Sequence, residues 1–371
     1  MKDRYHCTGC AACEAVCPTG ALEMKADAEH FLQPVIDYSK CINCKLCEKT
    51  CQKSFVQNHI IESYAVQFHD EMILRSSTSG GAITALSNVI LKRGGIIYAG
   101  TYSISEGCKW IRIDNTDNLS EIRGSKYLQI GLRGSDYKKI KKELTQRQVL
   151  FIGTPCQVDG IRKALSEREK NNLFVVDIIC GGVISEQIER LYEKYTEKTS
   201  NKKLSKRVFR GKKNGLWNRI YCSENHFSDG TFDIHLGGED LYTRAFISER
   251  LLRESCYLCE YASLNRVGDI TVGDCWGIEK ETFEFPKKEM GVSLVLVNTE
   301  KGRELFNEVS NTVALPLQNK APIIDNKPLH KCTKRHKMRD FSYRLYDVFP
   351  FIKATNIISY RYSIKRLLGR R

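Results

Sequence analysis

The chain has 371 residues, 58 Lys and Arg against 44 Asp and Glu for a net charge of +14, and a hydrophobic share of 42% that permits a packed core. No run of about 18 apolar residues occurs, which excludes a spanning helix, and the opening Met1-Lys2-Asp3-Arg4-Tyr5-His6-Cys7 lacks the apolar stretch of a signal peptide. The expected location is the cytoplasm, where the 16 cysteines read as metal ligands rather than disulfides.

In chain order, residues 1–55 are cysteine-dense and repeat one spacing. Tyr64 to Phe68 reads as a strand. Ser79-Gly80-Gly81 precedes a helix from Ala82 to Lys92, with Ile83, Leu86, Val89 and Ile90 on its apolar period. Gly94-Gly95 ends it and Ile96 to Tyr98 is the next strand. Val149 to Ile152 and Leu173 to Ile179 are continuous apolar runs, as expected of strands buried on both faces, with a crossover helix from Val158 to Arg168 between them. Ile270 to Val272 and Val292 to Val297 are further strands, followed by a helix from Lys301 to Val309. Lys198 to Lys213 is charged and reads as a surface connection. Residues after Pro328 show no core pattern until Phe341, and Tyr360 to Leu368 reads as a basic amphipathic helix. Residues 330–371 carry 12 Lys and Arg against Asp340 and Asp347, so most of the net charge lies there.

Two motifs carry the chemistry. Cys7-x2-Cys10-x2-Cys13-x3-Cys17-Pro18 is the bacterial ferredoxin run, and Cys41-x2-Cys44-x2-Cys47-x3-Cys51 repeats it. Thiolates two residues apart in a tight turn reach different irons of one cubane, and the fourth of each run ligates the other cluster. Cys7, Cys10, Cys13 and Cys51 are therefore assigned to one 4Fe-4S cluster, and Cys41, Cys44, Cys47 and Cys17 to a second. Gln52 stands where the second run would have proline. A pair of zinc knuckles is the competing reading, which the duplicated spacing disfavours.

Of the other eight cysteines, Cys256-x2-Cys259 alone is half a zinc site, a redox dithiol or neither. Cys156 and Cys180 each follow a predicted strand, so parallel pairing would place both on the ligand-binding edge of a sheet. A third cluster there competes with ordinary buried cysteines.

Gly153-Thr154-Pro155-Cys156-Gln157 resembles a segment of the coenzyme F420 hydrogenase/dehydrogenase beta-subunit family. So do Ser77 to Gly81, Gly124-Ser125-Lys126-Tyr127-Leu128-Gln129, Asp177 to Val183, Phe209-Arg210-x-Lys212, Cys256-x2-Cys259 and Asp269 to Gly277, in the family's order. The resemblance implies an iron–sulfur flavoprotein with non-covalent FAD beside a body cluster held by Cys156, Cys180, Cys256 and Cys259. Where the family commonly has a histidine after the cysteine matching Cys180, this chain has Gly181, so its substrate is expected to differ. The implied fold is an α+β ferredoxin-like domain over 1–58 and an α/β domain with a largely parallel or mixed sheet over 59–328. A basic tail over 329–371 follows.

Candidate flavin contacts are Ser79, Gly80 and Gly81 at a helix start, where free N–H groups can hold a pyrophosphate, with Lys126, Tyr127, Gln129, Thr154 and Asp274. The expected function is an oxidoreductase passing electrons from a ferredoxin or similar donor through the clusters to FAD and an organic acceptor. Similar bacterial sequences point to surface-polysaccharide pathways and a sugar-linked acceptor. The alternative is a non-catalytic electron-transfer subunit. The tail reads as a solvated end, as a peripheral membrane contact or dock for an acidic carrier, and least as a nucleic-acid binder, since no binding motif accompanies it. A zinc-stabilised nucleic-acid binder is the reading from a different class.

Overall fold

The structure is a computed structural model and describes residues 2–212, 217 and 219–359. The strands are β1 (Leu22–Ala26), β2 (Leu32–Ile36), β3 (Glu62–Phe68), β4 (Ile96–Ser103), β5 (Gly107–Ile113), β6 (Val149–Gly153) and β7 (Leu173–Ile178). They continue with β8 (Leu204–Val208), β9 (Cys222–Phe227), β10 (Phe232–Leu236), β11 (Ile270–Asp274), β12 (Ser293–Val297) and β13 (Thr312–Pro316). β1 and β2 form an antiparallel pair beside the short helices Ala12–Ala15 and Leu46–Gln52. Eight of the described strands form one mixed sheet in the order β13-β3-β12-β11-β7-β6-β4-β5. Its centre, β4, β6, β7 and β11, is parallel, and both flanks are antiparallel.

The apolar runs earn that central position by alternation. Ile96, Tyr98, Val149, Phe151, Leu173 and Val175 face one core, and Ile97, Ala99, Leu150, Ile152, Phe174 and Val176 face the other. The second core is closed by the helices Ala82–Lys92 and Glu300–Asn307. The first is closed by Gly134–Leu144 and Pro155–Ala164 and by Ala11, Ala12, Cys13, Leu22 and Met24 of the N-terminal domain. The cysteine-rich domain thus shares the core of the sheet.

Three expectations are corrected. The crossover helix starts at Pro155, with Thr154 as its cap, and ends at Ala164, so Cys156 lies in its first turn. The segment expected as a surface connection contains β8, whose Arg207 is fully buried against Asp240 at 2.9 Å and stacks on Tyr192. Paired charge replaced the apolar residue that a buried strand normally shows. Residues beyond Pro328 form the helices Arg339–Val348 and Phe351–Ile358, packed through Tyr343, Leu345, Tyr346, Phe351 and Ala354. The expected amphipathic helix over 360–368 lies outside the described residues. No helix among the described residues is long and apolar enough to cross a membrane.

Candidate iron–sulfur and cofactor site

The duplicated spacing is a duplicated backbone. Gly9 and Ala11 in the first run and Asn43 and Lys45 in the second are all left-handed, with φ of 69°, 60°, 53° and 58°. Ala11 and Lys45 have no glycine freedom, so each costs about 1–2 kcal/mol, and such strain concentrates where a site demands it. The turn brings the sulfurs together and aims amides at them. Cys13 is pressed upward first by burial, then by Cys10, Cys7 and Cys51, which gathers the first expected set. Cys47 is raised by burial and feels Cys17. Burial pushes Cys17 up, but the Thr19 hydroxyl and the amides of Leu22, Thr19 and Ala21 outweigh it and hold the thiol below its ordinary value. Cys41 and Cys44 are exposed.

The body thiols converge as the sheet brings their strands together. β6 and β7 are parallel neighbours with Gly153 opposite Asp177, so Cys156 and Cys180 leave the sheet on one edge. Cys180 is pushed up to about 12 by burial and then by Cys256, with Cys259 further down. Cys256 is likewise raised to about 12 by burial, then by Cys156 and Cys259. The Thr154 hydroxyl lies 3.2 Å from the Cys156 sulfur, and the Gly182 amide donates to Cys180 at 3.4 Å. The loop after Cys259 is pinned by Arg266, whose guanidinium meets Asp177 at 2.9 Å with both side chains buried. A fifth thiol, Cys332, is felt by Cys259; it donates to the Tyr257 carbonyl at 3.1 Å, and no motif marked it. Among the described residues, no three His, Cys, Asp or Glu side chains close on a single ion. A cubane is several ångströms across and takes thiols held apart, so soft, gathered but separated sulfurs suit it.

The candidate flavin contacts divide between places. The Ser79 hydroxyl donates to the Val292 carbonyl at 2.7 Å. Gly80 lies against β3 and β12, where a side chain would run into the Val66 carbonyl and the Ser293 amide. Gly81, at φ 82°, starts the helix Ala82–Lys92 with no side-chain cap. Lys212 binds the carbonyls of Ser79 at 2.6 Å, Leu74 at 2.9 Å and Met290, and burial lowers its ammonium to about 7. Thr78 accepts from the Ser125 amide at 2.7 Å, tying this turn to the next segment. There Lys126 donates to the Ile122 and Arg123 carbonyls, and burial lowers it to about 8. Tyr127 stacks on Phe246 and meets Tyr221 edge-on. Asp274 pairs with Arg210 at 2.6 Å and accepts from the Trp217 indole at 2.8 Å.

Ser79 thus meets Lys212, and Tyr127 and Asp274 meet Arg210, two cations that sequence reasoning placed in a motif without a role, while Lys126 stays on the carbonyls of its own turn. Beside them Trp217 and Trp276 stack at 4.7 Å and border a cavity of about 540 Å3 with Arg219, Ile278 and Lys288. Thr154 sits at the body thiols, and Gln129 at the seam with the N-terminal domain, donating to the Thr8 carbonyl at 3.2 Å.

Residues 146–322 match the family described as the C terminus of the beta subunit of coenzyme F420 hydrogenase/dehydrogenase, and residues 6–55 match the 4Fe-4S dicluster domain. The F subunit of the F(420)H(2) dehydrogenase of Methanosarcina mazei is 21% identical over 190 residues, 47% of this chain and 53% of that protein. The beta subunit of the F420-dependent formate dehydrogenase of Methanocaldococcus jannaschii is 25% identical over 269 residues, 66% of this chain and 58% of that one. The chain spans between 53% and 58% of the length of these two relatives. A chain of the F420-reducing NiFe hydrogenase complex from Methanosarcina barkeri shares the fold, with a TM-score of 0.51 at 17% identity, over 74% of this chain and 88% of that chain.

Proposed function

The chain joins a 4Fe-4S dicluster domain to a domain of the coenzyme F420 hydrogenase/dehydrogenase beta-subunit family, and from that premise we propose an iron–sulfur flavoprotein oxidoreductase. The exposed Cys41 side would receive electrons from a ferredoxin or similar one-electron donor, the Cys7 set and the body thiols would hold the clusters further in, and FAD, when bound, would supply transfer to an organic acceptor. When bound, the clusters supply one-electron transfer and the flavin couples it to two-electron chemistry.

Cys7, Cys10, Cys13 and Cys51 would hold the inner cluster, and Cys41, Cys44, Cys47 and Cys17 the outer one. Cys156, Cys180, Cys256 and Cys259 would hold the third. The observation that carries this reading is the contact between two of these sets: Cys10 packs on the helix whose first turn holds Cys156, and each thiol feels the next. Buried Tyr137 and Tyr261 keep water from that contact, Tyr137 donating to the Cys10 carbonyl at 2.5 Å and Tyr261 to Asp159 at 2.6 Å. For the flavin, the uncapped helix start at Gly81 would face its phosphates, with Lys212 holding the Ser79 carbonyl and Arg210 held by Asp274 behind that turn, and the cavity by Trp276 left for a planar ring or the acceptor. At the entry side, exposed Cys41 and Cys44 lie among exposed Tyr38, Ile42 and Leu46, with Lys45 and Lys49 outnumbering Glu48 and Lys40 paired with Asp37. That surface suits a carrier with an acidic face.

A sugar-linked molecule of a surface-polysaccharide pathway and coenzyme F420, named for the relatives, are the acceptors to assay. The relatives' names also favour a second reading, a non-catalytic electron-transfer subunit, because those quoted are subunits of larger enzymes. Anaerobic purification with iron, acid-labile sulfide and flavin analysis tests the first. About twelve irons and one flavin per chain are expected; a colourless protein after reconstitution overturns it. Turnover by the isolated chain separates enzyme from subunit.

A further inference from the structure

Four arginines are buried among the described residues, and three face a carboxylate. Arg207 meets Asp240 at 2.9 Å, Arg266 meets Asp177 at 2.9 Å and Arg339 meets Glu29 at 2.7 Å. Arg253 is only 1% exposed and, among the described residues, pairs with no carboxylate. Its guanidinium donates to the Cys7 carbonyl at 2.8 Å, the Leu32 carbonyl at 2.8 Å and the Gln129 side-chain oxygen at 3.1 Å. It also reaches the Cys7 sulfur at 3.7 Å and lies over the Phe31 ring. Its own carbonyl accepts from the Cys256 amide at 2.9 Å, and Cys256 feels its charge. One cation therefore stands between a thiol of the N-terminal domain and a thiol of the body.

A buried cation without an anion is strongly unfavourable, and carbonyl dipoles repay only part of that cost. Thiolate-ligated clusters are anionic and become more so on gaining an electron. Resting on the cluster assignments above, we infer that Arg253 is a positioning residue whose charge and N–H···S contact raise the reduction potential of the inner, Cys7-containing cluster above that of the outer one. Hydrogen bonds to sulfur and nearby positive charge act in that direction. The transfer this favours moves a single electron, lost at the Cys41, Cys44, Cys47 and Cys17 set and gained at the Cys7 set. Gln129 holds the guanidinium in register. Gly9, at φ 69°, leaves the room, since a Cβ there would lie 2.9 Å from the Gln129 amide and 3.0 Å from Arg253.

The test is an EPR-monitored redox titration of the full-length protein, purified anaerobically and loaded with iron and sulfide. In Arg253→Gln, the signal of the Cys7 cluster should shift furthest to lower potential, that of the body cluster less, and that of the outer cluster should stay. Arg253→Lys, which keeps the charge, should restore most of the shift. Gln129→Glu places a negative charge against the guanidinium, leaves the arginine in place and should lower the same signal. It decides the matter if Arg253→Gln fails to fold. Unchanged midpoints in loaded variants, or an equal shift of every signal, overturn the role of Arg253 alone. A wild-type chain that holds no iron and sulfide overturns the cluster assignment and this inference with it.

Discussion

Gly160 and Cys10 meet across the seam between the N-terminal domain and the large sheet: a Cβ at Gly160 would lie 2.7 Å from the Cys10 Cβ and 3.0 Å from its sulfur. Gly160 is inside the helix Pro155–Ala164, where a glycine ordinarily weakens the helix by about 0.5–1 kcal/mol relative to alanine. The close approach is what keeps it there. Gly160→Val should therefore destabilise by about 1–3 kcal/mol through overpacking, against the gain that helix propensity predicts. Chemical unfolding measures it, and a more stable variant would show that the two domains can move apart freely.

Asp177 accepts from Arg266 at 2.9 Å and from the Gly268 amide at 2.9 Å, with its side chain fully buried. Asp177→Asn keeps the shape and removes the charge, leaving Arg266 uncompensated. The expected loss is about 3–5 kcal/mol, read by urea unfolding. Because this pair fixes the loop after Cys259, iron content of the body site should fall while that of the N-terminal domain persists.

Glu189 lies fully buried near Arg207, and burial raises its carboxyl from 4.5 to about 8, with Arg207 opposing and Glu193 assisting. In the folded chain it binds a proton that the unfolded chain has already lost. Stability should thus fall as pH rises from about 4.5 to 8, by at most about 1.4 kcal/mol per unit. Glu189→Gln removes this slope, so unfolding free energies at pH 5 and pH 8 should diverge less in the variant than in the wild type. Equal slopes would place the proton elsewhere.

Separate loss of clusters discriminates the three sets. Cys180→Ser should remove about four irons per chain and leave the signals of the N-terminal pair. Cys44→Ser should remove about four and leave the body signal. Iron analysis with EPR checks both, and loss of all iron from either variant would mean that the sets do not assemble independently.

What could be read directly was whatever is local. The two ferredoxin runs place their sulfurs through turns of a few residues, and the same left-handed positions recur in both copies. The runs at Val149 and Leu173 gave away buried parallel strands because no polar face was needed. The surface reading of Lys198 to Lys213 failed because Arg207 hides its charge against Asp240, 33 residues away, and composition cannot reveal a partner. The described part of the expected tail failed likewise: Arg339 reaches Glu29 of the N-terminal domain, so part of the positive charge is internal.

Spacing alone marked the N-terminal cysteines as expected cluster ligands, since bond geometry within a short turn depends on little else. The meeting of those cysteines with the body thiols was decided only by the fold. Arg253 touches Cys7 across 246 residues of chain, and nothing near either position announces the other. A contact of that kind is set by which strands pair and which helix covers them, and those depend on burying the whole apolar surface at once.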